Sequence, residues 1–268
     1  MSVFAVSILI GEGKNYMHLI YNEDVMICID ACRFDVLKKA LRVEFTESVY
    51  SAQQILAMED CTNERRLVCV LTTHRHSDHI GGIDELKSEM PSIRLISGFE
   101  DEICAHGDIL DIEGIEVECI HTPCHTSDSF CYYIARKYLA TGDTLFLLGC
   151  GKFFEGTARQ MIDAIEKIKA RVDPEALMLY GHDYNEQNIR FTENFYIVPK
   201  SIKNKRFLKL QDEAEYNLFF DPRRAFLYKS VNIACDKQLI TGKEPTEFIS
   251  TEDAMTKLRA RKDLFNRQ

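Results

Sequence analysis

The run LVCVLTTHRHSDHIGG, residues 67–82, opens as a short apolar strand and then sets His74, His76, Asp78 and His79 within six residues, just before two glycines. Neutral imidazole and carboxylate are the ligands that borderline divalent metals prefer. In an extended loop His74 and His76 stand two residues apart and can point the same way, so both can reach one ion. Asp78 and His79 lie a turn further on, too displaced to join that tetrahedron comfortably, and can offer ligands to a second ion beside the first. Two metals roughly 3.5–4 Å apart hold a bridging hydroxide, the arrangement that hydrolases use against a polarised carbonyl or phosphoryl group. Without a metal the crowding would be unfavourable, because partly charged imidazoles repel one another and lose rotamer freedom.

Composition narrows what such a centre serves. The chain has 268 residues, 46% hydrophobic and 28% charged, enough for a large core and either one domain or one domain with an appendage. A net charge of −9 argues against a nucleic-acid partner, which would need clustered Lys and Arg. No apolar run approaches the roughly 18–20 residues that cross a bilayer. The first residues, MSVFAVSILIGEGK, lack a basic start and a small-residue cleavage site and read as a strand rather than an export signal, so a cytoplasmic protein is expected. Ten cysteines lie scattered in apolar segments such as those of Cys28, Cys69 and Cys131, and are expected to be reduced core residues.

Up to about residue 180, β-type runs (2–10, 17–21, 25–30, 66–73, 93–96, 114–120 and 130–141) alternate with stretches of helical spacing (34–41, 46–60, 83–89 and 157–172). That is a mixed α/β domain, with His74, His125, Asp143 and His182 just past apolar runs, where sheet proteins mount site residues. Beyond His182 the texture becomes long, charged and helical in period, with Pro199 as punctuation. Residues 250–268 close as another helix, Ser250 its N-cap and Asp253 at the capping-box position. The expected division is therefore 1–182 and a helical 183–268.

The segment THRHSDH (73–79) resembles the metal loop of the metallo-β-lactamase superfamily. HTPCHTSD (121–128), LATGDTLFLLGCGKFFEGT (139–157) and YGHDYNEQN (180–188) resemble the hydroxyacylglutathione hydrolase, or glyoxalase II, family, in order and over nearly the whole chain. The resemblance implies an αββα sandwich with a C-terminal helical, substrate-binding domain. It implies a first metal on His74, His76 and His125 and a second on Asp78, His79 and His182, with Asp143 bridging; sequence chemistry alone does not choose between His121 and His125. The ions would be two divalent cations, zinc foremost, with iron and manganese suited to the same ligands. His18, His106 and His121 are left as surface or core histidines. Asp30, ending the run VMICID, reads either as a residue orienting a metal ligand or as a turn residue.

The implied reaction is hydrolysis of S-D-lactoylglutathione to D-lactate and glutathione by metal-bound hydroxide, with Asp78 orienting the nucleophile and sharing in proton transfer. Lys152, Tyr184, Arg259 and Lys262 would contact the glutathione half, in a monomer with no nucleic-acid or membrane partner. Arg259 and Lys262, three apart on a helix, face the same way. Phe154 stands where the family often has Tyr, removing a hydroxyl from the expected contact set. Residues 43–66 form a longer region than the family leads one to expect and read as an inserted helix on the outer face. Two other functions fit the same motif: a mononuclear-iron persulfide dioxygenase of the superfamily, and a metal-binding scaffold without turnover.

Overall fold

Short strands rich in Val, Ile and Leu settle where both their faces can be covered, and this chain covers them twice over. In the computed structural model, which describes residues 2–11, 14–61, 64–226 and 249–267, β1 (Phe4–Ile10), β2 (Asn15–Tyr21) and β3 (Val25–Ile29) form an antiparallel meander. α1 (Phe34–Ala40) leads to β4 (Val49–Ser51), parallel to β1, and α2 (Ala52–Ala57) precedes β5 (Arg66–Leu71), parallel to β3. α3 (Ser77–Ile80), α4 (Ile83–Glu89), β6 (Arg94–Ser97) and β7 (Glu102–Ile103) follow, giving a seven-stranded sheet in the order β4-β1-β2-β3-β5-β6-β7.

The second sheet, β14-β11-β10-β9-β8, takes β8 (Ile109–Ile112), β9 (Ile115–His121), β10 (Phe130–Ile134) and β11 (Tyr138–Gly142) as antiparallel neighbours. A small hairpin of β12 (Leu145–Phe146) and β13 (Gly149–Cys150) and then α5 (Ala158–Arg171) precede β14 (Leu177–Tyr180), parallel to β11. Period-2 alternation splits each strand between two cores. In β10, Phe130, Tyr132 and Ile134 face Ile27, Ile29, Cys69 and Leu71 of the first sheet. Cys131 and Tyr133 face outward to Met161, Ile165 and Ile168 of α5. On the far side, Val36, Leu37, Ile55 and Leu86 of α1, α2 and α4 cover Ile8, Leu19 and Val70. Helix, sheet, sheet and helix thus stack as an αββα sandwich. Each fully buried Ile or Leu contributes about 1.5–3 kcal/mol.

After β14 come α6 (Asn185–Thr192), α7 (Lys200–Lys203), α8 (Leu210–Tyr216) and, beyond residues outside the described set, α9 (Thr251–Phe265). Phe191, Ile202, Leu210 and Leu258 from these helices join the outer core of the second sheet. Ser250 caps α9, accepting from Asp253 N at 3.0 Å while its hydroxyl donates to Asp253 Oδ2 at 2.8 Å. No helix among the described residues is long and apolar enough to cross a membrane.

Three local expectations change. The run 130–141 is two strands, because Ala135 and Arg136, at φ 51° and 53°, turn the chain back on itself. Within 46–60 only α2 is helical; Val49–Ser51 instead add an edge strand to the first sheet, so the long 43–66 region is not just an inserted helix. Residues 62–63 of it lie outside the described set. The helical period of 185–220 is divided among three short helices and one 3-10 turn, with Pro199 opening α7.

Candidate metal centre

Four loops at one end of the sandwich supply the site. The β5 strand runs into Thr72, Thr73 and His74, and α3 begins after His76, which throws Asp78 and His79 inward. His125 follows β9, Asp143 follows β11 directly, and His182 follows β14. β9, β11 and β14 belong to one sheet and β5 to the other, so their ends meet only once the two sheets have packed.

Seven side chains converge there. His76 Nδ1 lies 3.0 Å from His74 Nε2 and 3.1 Å from His125 Nε2. Asp78 Oδ2 lies 3.8 Å from His79 Nε2 and 3.4 Å from His182 Nε2. Asp143 stands between the two groups: its Oδ2 is 3.5 Å from His125 Nε2, while its Oδ1 is 3.3 Å from His79 Nε2 and 3.4 Å from His182 Nε2. Zinc bonds of about 2.0–2.1 Å place tetrahedral ligand atoms roughly 3.3 Å apart, which matches these separations. His79 Nε2 and Asp143 Oδ1 are buried without a hydrogen-bond partner. Leaving such atoms unpaired costs about 1–3 kcal/mol each, a cost that a cation between them removes. The donor set fits a divalent metal.

Electrostatics point the same way. Burial pushes His74 down to about 2, so it stays a neutral ligand. Burial also opposes a charge on His182, yet the adjoining Asp143 and Asp78 carboxylates prevail and push it up to about 9. The same contest, won by Asp143 and Asp30, holds His79 well above the ordinary imidazole range. Carboxylates that draw a proton this strongly would draw a metal ion.

The ligands are held from behind. Asp30, buried and at φ 54°, accepts His79 Nδ1 at 2.8 Å and also takes the Thr73 amide and hydroxyl, each at 2.8 Å. Of its two readings, orientation of a ligand is the one the structure supports. His125 Nδ1 donates to the Lys152 carbonyl at 3.0 Å, and His74 Nδ1 lies 3.1 Å from Thr73 Oγ1. Such bonds fix which ring nitrogen is presented to a metal. His18 is a core histidine between Ser7 Oγ and the Tyr180 carbonyl, pushed down to about 4 by burial. His121 bonds the Ser127 carbonyl and stacks on Phe130, and His106 accepts the His121 amide, all away from the centre.

A cleft of about 390 Å³ opens over the ligands and is walled by Lys152, Phe154, Tyr184, Arg259 and Lys262. Tyr184 stacks on His182, 4.7 Å between centroids. Phe154, exposed at the rim, sets its ring 5.1 Å from that of His125. Arg259 is buried; it donates to the Cys150 carbonyl at 2.7 Å and to Asp263 at 3.0 Å, and its Nε has no partner. Lys262 is buried too, its Nζ donating to the Gln187 carbonyl at 3.3 Å over the Phe191 ring. Burial, with Arg259 alongside, pushes its ammonium down to about 7. Two buried cations, with Asp263 the one carboxylate beside both among the described residues, make an anion-seeking wall.

Sequence reasoning missed Asn15, whose amide donates to Asp78 Oδ2 at 2.9 Å from the start of β2. Nothing in a lone Asn before an apolar strand marks that role. Gly151 and Gly181 were also passed over: a Cβ on either would run into Asp143. Their places in Gly-Cys-Gly and Tyr-Gly-His were the available signal.

No family model matches the chain. It is 49% identical over 269 residues, the full length of both proteins, to a probable hydroxyacylglutathione hydrolase of Encephalitozoon cuniculi. A probable hydroxyacylglutathione hydrolase of Schizosaccharomyces pombe is 33% identical over 226 residues, 78% of this chain and 83% of the relative. A cytoplasmic hydroxyacylglutathione hydrolase of Arabidopsis thaliana is 38% identical over 141 residues, 48% of this chain and 55% of the relative. Among solved structures, ETHE1 from Myxococcus xanthus matches with TM-score 0.57 at 22% identity, covering 83% of this chain and 84% of that one. The B3 metallo-β-lactamase BLEG-1 matches with TM-score 0.58 at 16% identity, covering 81% and 99%. At those identities the solved structures speak for the fold alone.

Proposed function

The chain belongs to the hydroxyacylglutathione hydrolases, and on that footing we propose that it cleaves S-D-lactoylglutathione with water to D-lactate and glutathione. It is a metal-dependent thioesterase. We assign two ions, zinc foremost and iron or manganese as alternatives, one to His74, His76 and His125 and the other to Asp78, His79 and His182, with Asp143 shared. The observation that carries the assignment is Asp143, whose two oxygens face different histidine groups. When bound, such ions polarise a carbonyl and lower the pKa of water toward about 7.

The remaining work falls to the chain. Asp78 is the acidic ligand most open to the cleft, its side chain 48% exposed against 10% for Asp143. The adjoining His182, helped by the Asn15 amide, holds its carboxyl well below the usual range, and ionised it orients the attacking water and shares in the transfer of its proton. The proton ends on the departing sulfur. A thiol of pKa about 8.5 leaves readily, so the site needs no strong general acid. Arg259 and Lys262 receive the carboxylates of the glutathione half, Lys152 and Tyr184 flank it, and Phe154 closes the rim. In this reading residues 1–182 are the catalytic domain and 183–268 the helical, substrate-binding domain, in a monomer. The cytoplasm is the proposed location, supported by the name of the Arabidopsis relative.

The test is a hydrolysis assay on S-D-lactoylglutathione with metal analysis of the same sample. About two ions per chain are expected, and His76→Ala should cut turnover by more than about 100-fold. Undiminished activity in that variant would remove the assignment. One iron per chain, with oxygen consumed on glutathione persulfide, would favour the mononuclear dioxygenase instead.

A further inference from the structure

Among the described residues Glu118, Asp128 and Glu213 are buried carboxylates outside the metal centre and the cleft, and Glu118 and Asp128 are paired with arginines. Glu213, on α8 and fully buried, faces no cation among the described residues. Its oxygens accept the Leu148 amide at 3.1 and 3.2 Å, the Tyr180 hydroxyl at 2.7 Å and the Asn217 amide at 2.7 Å. Leu148 is the tip of the β12–β13 hairpin and sits at φ 51°, a conformation costly for a branched residue. The other groups of that tip are held by the same helical region: Asn188 donates to the Leu147 carbonyl at 2.9 Å and Asn217 to the Gly149 carbonyl at 3.0 Å.

What this hairpin carries makes its anchoring consequential. Asp143 enters it. On the way out, the Cys150 carbonyl accepts Arg259 and the Lys152 carbonyl accepts His125 Nδ1. A shift of the tip would therefore displace a metal ligand and a cleft cation together, and the ligand has no slack, since Gly151 already packs against Asp143 and His125.

We propose that Glu213 is a positioning residue of this enzyme: by clamping the Leu145–Cys150 hairpin it sets the His125 imidazole and the Arg259 guanidinium at once, coupling metal binding to thioester binding. The thioester half of this statement rests on the function proposed above; the metal half does not.

The experiment uses Glu213→Gln in the full chain. Both oxygens of Glu213 accept the Leu148 amide, so in either orientation the amide nitrogen of Gln faces that N–H and the tip loosens. Three quantities are read: amide exchange over residues 145–152, affinity of the metal-free protein for Co²⁺ alone, and KM. Faster exchange with Co²⁺ affinity weakened and KM raised, each about tenfold, is the expected result. Exchange at the parent's rate, or faster exchange with Co²⁺ affinity unchanged, overturns the proposal. If Glu213→Gln does not fold, Asn217→Ser decides by the same criteria: it removes the bonds to Gly149 and Glu213, while the serine can still cap the Phe219 amide that Asn217 now holds. A parent protein that does not hydrolyse the thioester defeats the proposed substrate, and the Co²⁺ and exchange readouts still judge Glu213.

Discussion

Lys262 is a single residue with a readable pH signature. A lysine in the unfolded chain titrates near about 10.4, whereas burial holds this one at about 7. Between those values the unfolded state binds more protons than the folded state, so this group makes stability rise with pH across the window and disfavours folding most below about 7. Substrate binding has the opposite requirement, since a carboxylate needs the ammonium. We expect kcat/KM to fall as pH climbs through about 7, and Lys262→Met to lose that limb; a limb unchanged in the variant would count against the role. At the rim, Phe154→Tyr should restore a hydroxyl worth about 0.5–1.5 kcal/mol of binding and lower KM accordingly, and an unchanged KM would show that no substrate group lies within its reach. At this scale His74, His76, Asp78 and His79 were legible because ligand chemistry was concentrated in six consecutive positions. Asn15 and Glu213 were not, because each becomes significant only beside a residue more than 60 positions away.

Among the elements, the β10–β11 hairpin shows where periodicity misleads. FCYYIARKYLAT reads as one run because its apolar residues continue past the turn, and no Gly or Asn marks the reversal at Ala135 and Arg136. The left-handed conformation costs an alanine about 1 kcal/mol, and Asn tolerates it better. Ala135→Asn should therefore raise Tm by roughly 2–4 °C, read by calorimetry. Replacement of Arg136 would be a poorer test, since its guanidinium also pairs with Glu116 and Glu118. The segment 46–60 was read as helical throughout for a related reason. Tyr50 is pulled out of that pattern by tertiary contact: its hydroxyl accepts the Thr46 and Glu47 amides, and its backbone pairs with Ile8 of β1. The stretches 34–41, 83–89 and 157–172 carried their own signals and became α1, α4 and α5 as read.

For the whole molecule, the centre is a fastener between two sheets. Its ligands come from the ends of strands in both, and two of its buried ligand atoms have no protein partner. Stripping metal with a chelator should leave those atoms uncompensated at about 1–3 kcal/mol each, lowering Tm by roughly 5–15 °C in a scan with and without chelator. An unaltered Tm would mean that the ligands satisfy one another unaided. The sequence by itself determined the α/β alternation, the metal loop, the strand ends that carry its partners and the family, because propensity, periodicity and ligand type are properties of short stretches. Only the tertiary structure decided that Asp143 faces both histidine groups, that Asp30 stands behind His79, that Arg259 and Lys262 are buried in the cleft wall, and that Glu213 grips the hairpin joining them. Those are distances between segments far apart in the chain, and such distances are set by how two sheets and their helices exclude water together.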